Sequence, residues 1–258
     1  LELRPRFVSM VDETAQGQEV IRKLSNHKVD VDYVVAVPDG MGMWMAIFDN
    51  SGDVVGSISK RPRMEAMVQL LEEKGDEIFK DADSIVIEID VDKEIVKRVF
   101  KLAKKYKKKV YAVVGNMSIA LERRDFMKSI DCFVCNIQEA GILFADDFSA
   151  MSPEEMSREL SERVVSAKIN SMVVTMGGRG SVWADIQGNY GVQSAKAVQV
   201  RDTTGAGDAF CAGVAVGLTY GKSMAEAVEI GTRLASSVIT ISENVCPRFL
   251  PEELGIKL

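Results

Sequence analysis

Arg201-Asp202-Thr203-Thr204-Gly205-Ala206-Gly207-Asp208-Ala209-Phe210 places two glycines and a carboxylate at the start of a stretch rich in Ala, Gly and Val. Upstream, Ala197-Val198-Gln199-Val200 reads as a short strand, and residues 207–220 read as a helix. Gly205 and Gly207 can take φ > 0 and admit a ligand close to the backbone, so successive N–H groups can point into one concavity that suits an anion. The following helix adds the positive end of its dipole. Asp208, in the first turn, is placed to accept a proton. Fixed N–H donors beside a base are what phosphoryl transfer needs, because charge spreads over the oxygens of the transferred group while a hydroxyl loses its proton. Taken alone, Gly-Ala-Gly also reads as an ordinary strand-to-helix turn with a capping Asp.

The run resembles the Asp-Thr-x-Gly-Ala-Gly-Asp signature of the ribokinase/PfkB family of carbohydrate and nucleoside kinases, and Asp202 to Asp208 match it at every position. The resemblance implies that Asp208 is the catalytic base and that Gly205, Ala206 and Gly207 form an anion hole. It also implies ATP as phosphoryl donor and Mg2+ as cofactor. Asp202 and Thr204 match positions that shape the turn and, in many members, help hold a monovalent cation such as K+. Asn136-Ile137-Gln138-Glu139 resembles the family's Asn-x-x-Glu motif. By that resemblance Asn136 contacts nucleotide phosphates and Glu139 holds magnesium through its waters, although Asn and Glu at this spacing are also common helix caps. Thr175-Met176-Gly177-Gly178-Arg179-Gly180 is similar to the Thr-x-Gly-x-x-Gly segment that lies along the nucleotide, which carries over Thr175, Gly177 and Gly180. The same glycines also suit a hairpin between two strands.

Composition narrows the alternatives. The net charge of -6 argues against nucleic acid or an anionic membrane as the main partner. The one obvious basic run, Lys104-Lys105-Tyr106-Lys107-Lys108-Lys109, falls at the end of an expected helix, where cations suit the dipole. No apolar run approaches the ~18 residues that span a bilayer, so the expectation is a soluble, cytoplasmic protein, and the resemblance implies a small-molecule sugar or nucleoside as its partner. Cys132 and Cys135 form a Cys-x-x-Cys, but it lies in the apolar run Cys132-Phe133-Val134-Cys135 with no second pair to complete a zinc site, and reads as buried strand. His27 is the only histidine and sits in a polar turn. With no nucleophile elbow, no histidine pair and no Gly-x-x-x-x-Gly-Lys-Ser/Thr loop, the general base must be a carboxylate.

Strands expected over residues 7–11, 84–89, 109–114, 132–135, 171–176 and 181–184 alternate with helices expected over 13–25, 64–74, 92–106, 137–143, 153–167, 207–220 and 223–242. This order predicts an α/β fold with a doubly wound, mostly parallel sheet and helices on both faces. Gly213 and Gly217 read as sites of close helix packing. Three short strands without helices between them, over 33–37, 43–49 and 53–59, break the alternation, with Asn50-Ser51-Gly52-Asp53 as a hairpin turn. In the ribokinase-like fold such a sheet is a β lid and often a homodimer interface. The resemblance thus divides the chain into a core of 1–32 plus 62–258 and a lid of 33–61.

Family members normally begin with a strand and a Gly-Gly-x-x-x-Asn segment that holds sugar hydroxyls, whereas Phe7 to Gly17 here already looks like the second unit. The expectation is either a part of a longer protein or a short variant lacking half of the sugar site. Ser242-Glu243-Asn244-Val245-Cys246-Pro247 and the hairpin from Met43 to Val55 resemble pseudouridine kinases, while Val113-Val114-Gly115-Asn116 stands where kinases of this group usually carry Asp-Pro. Three readings stay open: a kinase for sugars or pseudouridine-like nucleosides, a sugar-phosphate kinase, and a catalytically silent sensor on the same fold. A dinucleotide-dependent oxidoreductase fails, since no strand leads into Gly-x-Gly-x-x-Gly.

Overall fold

The alternation of short apolar runs with amphipathic stretches carries into the secondary structure of the computed structural model, which describes residues 3–48, 54–241 and 249–256. The chain forms two compact units, Leu1–Glu77 and Ile78–Leu258.

In the first unit, β1 (Arg6–Val11) and β2 (Asp30–Ala36) pair in parallel across the crossover helix α1 (Ala15–Asn26). Gly17 lets α1 close on β1, because a Cβ there would meet the Asp12 carbonyl oxygen at 2.1 Å. An antiparallel hairpin of β3 (Met43–Phe48) and β4 (Val54–Lys60) follows, and then α2 (Glu65–Lys80). The strand expected at 33–37 falls in β2, which pairs with β1 rather than with the hairpin, as the strand-helix-strand order favours. The expected turn from Asn50 to Asp53 lies outside the described residues.

The second unit is built on six strands in the order β10-β9-β8-β7-β6-β5. These are β5 (Ser84–Glu88), β6 (Lys109–Val113), β7 (Cys132–Asn136), β8 (Ser171–Thr175), β9 (Ser181–Asp185) and β10 (Tyr190–Gln193). The first four run parallel, β9 pairs antiparallel with β8, and β10 pairs antiparallel with β9. Crossovers are made by α3 (Lys93–Tyr106), the short α4 (Met117–Ala120) and α5 (Arg124–Met127), and then α6 (Ile137–Phe144) and α7 (Pro153–Ala167). Two further helices, α8 (Ala206–Thr219) and α9 (Met224–Val238), complete the unit. Both sheet faces are covered. Tyr111, Cys132, Val134 and Val173 pack against Phe210, Cys211, Val214 and Ala215 of α8, while the alternate residues Val110, Ala112, Phe133, Met172 and Val174 are equally buried. Local signals set the helix ends. Ser152 caps α7 in a reciprocal box with Glu155, and Pro153 occupies the first turn.

Helices α8 and α9 touch backbone to backbone. A Cβ on Gly213 would lie 2.6 Å from the Gly231 Cα, and one on Gly217 would lie 2.7 Å from the Ala227 Cα. Gly213→Ala must therefore push the helices apart, and should lower the urea unfolding midpoint by an amount equivalent to ~1–3 kcal/mol. An unchanged midpoint would rule out this packing.

The direction of α8 decides where its first turn lies. Near its C-terminal end, the Thr219 hydroxyl is 2.6 Å from that of Ser84, which opens β5. The helix therefore runs opposite to the parallel strands, and its N-terminus reaches their carboxyl edge, where ligands bind in open α/β sheets.

Candidate active site

At that N-terminus Gly205 takes φ +79° as the helix cap and has no side chain with which to satisfy the first N–H groups. The Ala206 N–H turns back to the Thr203 carbonyl at 3.1 Å, and the first helical bond is from the Ala209 N–H to the Gly205 carbonyl at 2.9 Å. Among the described residues the N–H groups of Gly207 and Asp208 have no acceptor. The space beside them is open, since a Cβ on Gly207 would meet nothing within 4 Å. Unfilled donors at a helix start are an anion site in waiting. Asp208 is exposed beside them in the first turn.

The turn that delivers these groups is held by Asp202. Its Oδ1 accepts the Thr204 N–H at 2.8 Å, and that backbone bond is the main cause that holds the carboxyl below its ordinary range. The Arg201 N–H donates to the Ile239 carbonyl at 2.7 Å, tying the turn to the end of α9. The strand expected at 197–200 is not formed. Residues 194–200 are irregular, with Val198 and Val200 exposed, because no neighbouring strand pairs with them.

The second set of expected residues meets on adjacent strands of the same edge. Asn136 ends β7 and stands in register with Thr175, which ends β8. Asn136 Oδ1 accepts the Glu139 N–H at 2.8 Å, and Glu139 Oε2 accepts the Asn136 N–H at 2.7 Å, so the pair forms a capping box on α6. The cap reading is met, and the box leaves its half-buried oxygens at the edge. Burial pushes the Glu139 carboxyl above its ordinary range and the charge of Asp90 pushes the same way, against the Asn136 N–H. Thr175 donates to the Cys135 carbonyl at 3.5 Å, and Gly177 and Gly180 take φ of +60° and +98° in the turn that follows.

Sequence reasoning missed two carboxylates at this edge, Glu88 at the end of β5 and Asp90 just beyond it. Asp90 is only 2% exposed, and its Oδ1 accepts the Gly115 N–H at 3.1 Å. A Cβ on Gly115 would lie 2.4 Å from Glu88 Oε1, so the glycine makes room for that carboxylate. The visible signal was the alternation Ile87-Glu88-Ile89-Asp90, which puts acids where an apolar strand ends. Among the described residues no group of three or more His, Cys, Asp or Glu side chains is placed to enclose a metal. Glu139 offers a single hard oxygen ligand set, which fits a magnesium ion that keeps waters and phosphate oxygens in most of its positions.

The remaining candidates are structural. Cys132, Cys135 and Cys211 are buried, and burial pushes the Cys132 and Cys211 thiols up to about 12. His27 ends α1, with its Nδ1 2.9 Å from the Lys23 carbonyl oxygen. Lys107 caps α3 in the left-handed region with exposed lysines around it. No helix among the described residues is long and apolar enough to cross a membrane.

The profile of the pfkB family carbohydrate kinases matches residues 1–244. The chain belongs to the pfkB family. It is thus a phosphotransferase with an alcohol group as acceptor, acting on sugars or nucleosides as a class. A guanosine-inosine kinase of Exiguobacterium acetylicum is 32% identical over 241 residues, covering 93% of this chain and 78% of the relative. The pseudouridine kinase of Escherichia coli is more distant, at 24% over 235 residues, with 91% and 74% covered. In fold, the chain is similar to the structure of Arabidopsis thaliana ribokinase complexed with ribose and ATP, with a TM-score of 0.78, 24% identity, and 94% and 79% of the two chains covered. The ribokinase-like α/β architecture is therefore shown.

Proposed function

We propose that this pfkB kinase transfers the γ-phosphoryl group of ATP to a hydroxyl of a purine nucleoside. The observation that carries the reading is the start of α8, where N–H groups without acceptors stand next to Asp208 and face open space. Asp208 takes the proton as the acceptor oxygen forms its bond to phosphorus, the bond to the ADP oxygen breaks, and the N–H groups around Gly205, Ala206 and Gly207 receive the spread charge. Asn136, Thr175, Gly177 and Gly180 hold the nucleotide at the neighbouring strand ends. Glu139 would hold a magnesium ion, whose chemistry there would be to neutralise phosphate charge. Asp202 and Thr204 shape the turn, and K+ is their candidate ligand.

The purine preference rests on the higher identity to the guanosine-inosine kinase than to the pseudouridine kinase, which moves the reading away from pseudouridine. A coupled ADP-release screen across guanosine, inosine, pseudouridine, ribose, hexoses and hexose phosphates tests it. The highest kcat/KM is expected with guanosine or inosine. A higher value with ribose or a hexose phosphate would overturn the acceptor, and binding without ADP release would make the protein a sensor.

In the same reading, residues 33–61 supply the lid through the β3–β4 hairpin. Met43, Met45 and Ile47 alternate on one face of it, Ile58 stands opposite Met45, and all four are 50–65% exposed. Such a face suits a second copy of the chain. Sedimentation showing only monomer at micromolar protein would rule that out.

A further inference from the structure

The turn after β8 has a fixed shape. The Met176 N–H donates to the Gly180 carbonyl at 2.8 Å, the Arg179 N–H to the Met176 carbonyl at 3.2 Å and the Gly180 N–H to the Gly177 carbonyl at 3.0 Å. Gly180 is enclosed, since a Cβ there would meet the Gln193 carbonyl oxygen at 2.1 Å, whereas Gly177 and Gly178 have nothing beside them within 4 Å. The turn is therefore rigid within itself and open on the side of its first two glycines.

One long side chain ties it to the next loop. Arg179 Nη1 donates to the Met151 carbonyl at 2.7 Å and to the Ser149 carbonyl at 3.1 Å. Among the described residues no carboxylate pairs with this guanidinium, so its charge is spent on backbone oxygens. The two carbonyls lie between α6 and α7, just before Ser152, the cap of α7. Phe148 anchors the start of that loop, being buried and edge-on to Phe144. A hollow of about 670 Å³ lies along the loop, lined by Ile137, Gln138, Gly141, Ile142, Phe148 and Ser149, so the loop is open on that side as far as Ser149.

We infer that Arg179 is a positioning residue for the nucleotide, fixing the Gly177–Gly180 turn against the loop that closes α6. Helix α6 carries Asn136 and Glu139 at its other end, so one guanidinium ties the turn that follows β8 to the loop that follows α6, the helix that β7 opens into. A charged donor shared by two carbonyls is stronger than a neutral hydrogen bond, and a turn already in its bound place loses less freedom when ligand arrives. The inference rests on the assignment of this turn to the nucleotide proposed above.

Arg179→Ala and Arg179→Lys separate this role from general stability. In Arg179→Ala the Kd for ATP, by calorimetry without acceptor, should rise about 10-fold, the scale of a lost charge-assisted contact. The kcat at saturating ATP and the KM for the nucleoside should stay within about twofold, because Arg179 touches neither the acceptor nor the proton. Arg179→Lys should recover part of the affinity, as an ammonium can reach one carbonyl without the planar fork. If Gly180→Ala weakens ATP binding and Arg179→Ala does not, the inference falls while the nucleotide assignment stands. If neither weakens it, both fall. A parallel loss in ATP affinity, kcat and nucleoside KM with a lowered melting temperature would make Arg179 a structural residue only, and would also overturn the inference.

Discussion

Asp208→Asn should lower kcat by about 100-fold or more, the usual scale for loss of a general base, while ATP affinity stays near the parent value. The substitution keeps the shape of the side chain and removes only its capacity to take a proton. Asp208 is exposed in the first turn of α8, so the variant disturbs no packing. Loss of a negative charge at a helix start costs only ~0.3–1 kcal/mol, which leaves the protein folded at room temperature. Steady-state ADP release with a nucleoside that the parent accepts, alongside circular dichroism of the variant, separates chemistry from folding. A folded Asn variant with parental kcat would falsify the assignment of Asp208 as base.

That prediction could be written from the sequence because the chemistry of α8 is local. Asp202 to Asp208 spans seven residues, and the Asx turn, the left-handed Gly205 and the open N–H groups are all made within it. The helix caps were legible for the same reason: Ser152-Pro153-Glu154-Glu155 contains every atom of its own box. The buried strand at Cys132-Phe133-Val134-Cys135 was legible too, since such a run suits a sheet covered on both faces, whereas the similar run Ile85-Val86-Ile87 lies on β5, the last strand of the described sheet, with Val86 54% exposed. What failed depended on distant partners. Ala197 to Val200 has the alternation of a strand, but a strand exists only where another backbone pairs with it, and here Arg201 is held instead by Ile239. β2 was read with the hairpin next to it in the chain and pairs instead with β1, on the far side of α1.

The candidate site divides in the same way. Asn136 and Glu139 could be read as a spacing, but not that they lie in register beside Thr175, which is 39 positions on from Asn136 in the numbering. The approach of Gly115 to Glu88 and Asp90, and the reach of Arg179 to Ser149 and Met151, join segments that no local pattern links. These contacts shape the carboxyl edge around Glu139 and the turn after β8. They are also where this chain departs from the Asp-Pro expected after β6, because Gly115 both donates its N–H to Asp90 and leaves room for Glu88.

Gly207→Ala separates catalysis from stability more sharply than any change in the core. Gly207 lies within the first turn of α8, and a methyl added there meets nothing in the protein within 4 Å. Replacing glycine by alanine within a helix stabilises it by up to ~1 kcal/mol, so the variant should melt at or slightly above the parent temperature. The added methyl projects into the open space beside the N–H groups of Gly207 and Asp208, where the anion must come within hydrogen-bonding distance. Displacing the phosphoryl oxygens weakens these donors in the transition state, and loss of one such donor typically costs about 100-fold or more in kcat. The expected result is a protein as stable as its parent with kcat/KM reduced by about 100-fold, read by differential scanning calorimetry and steady-state kinetics on one preparation. Parental activity in this variant would mean that the anion approaches α8 from elsewhere, and the assignment of Gly205, Ala206 and Gly207 as the anion hole would be lost even if Asp208 remained the base.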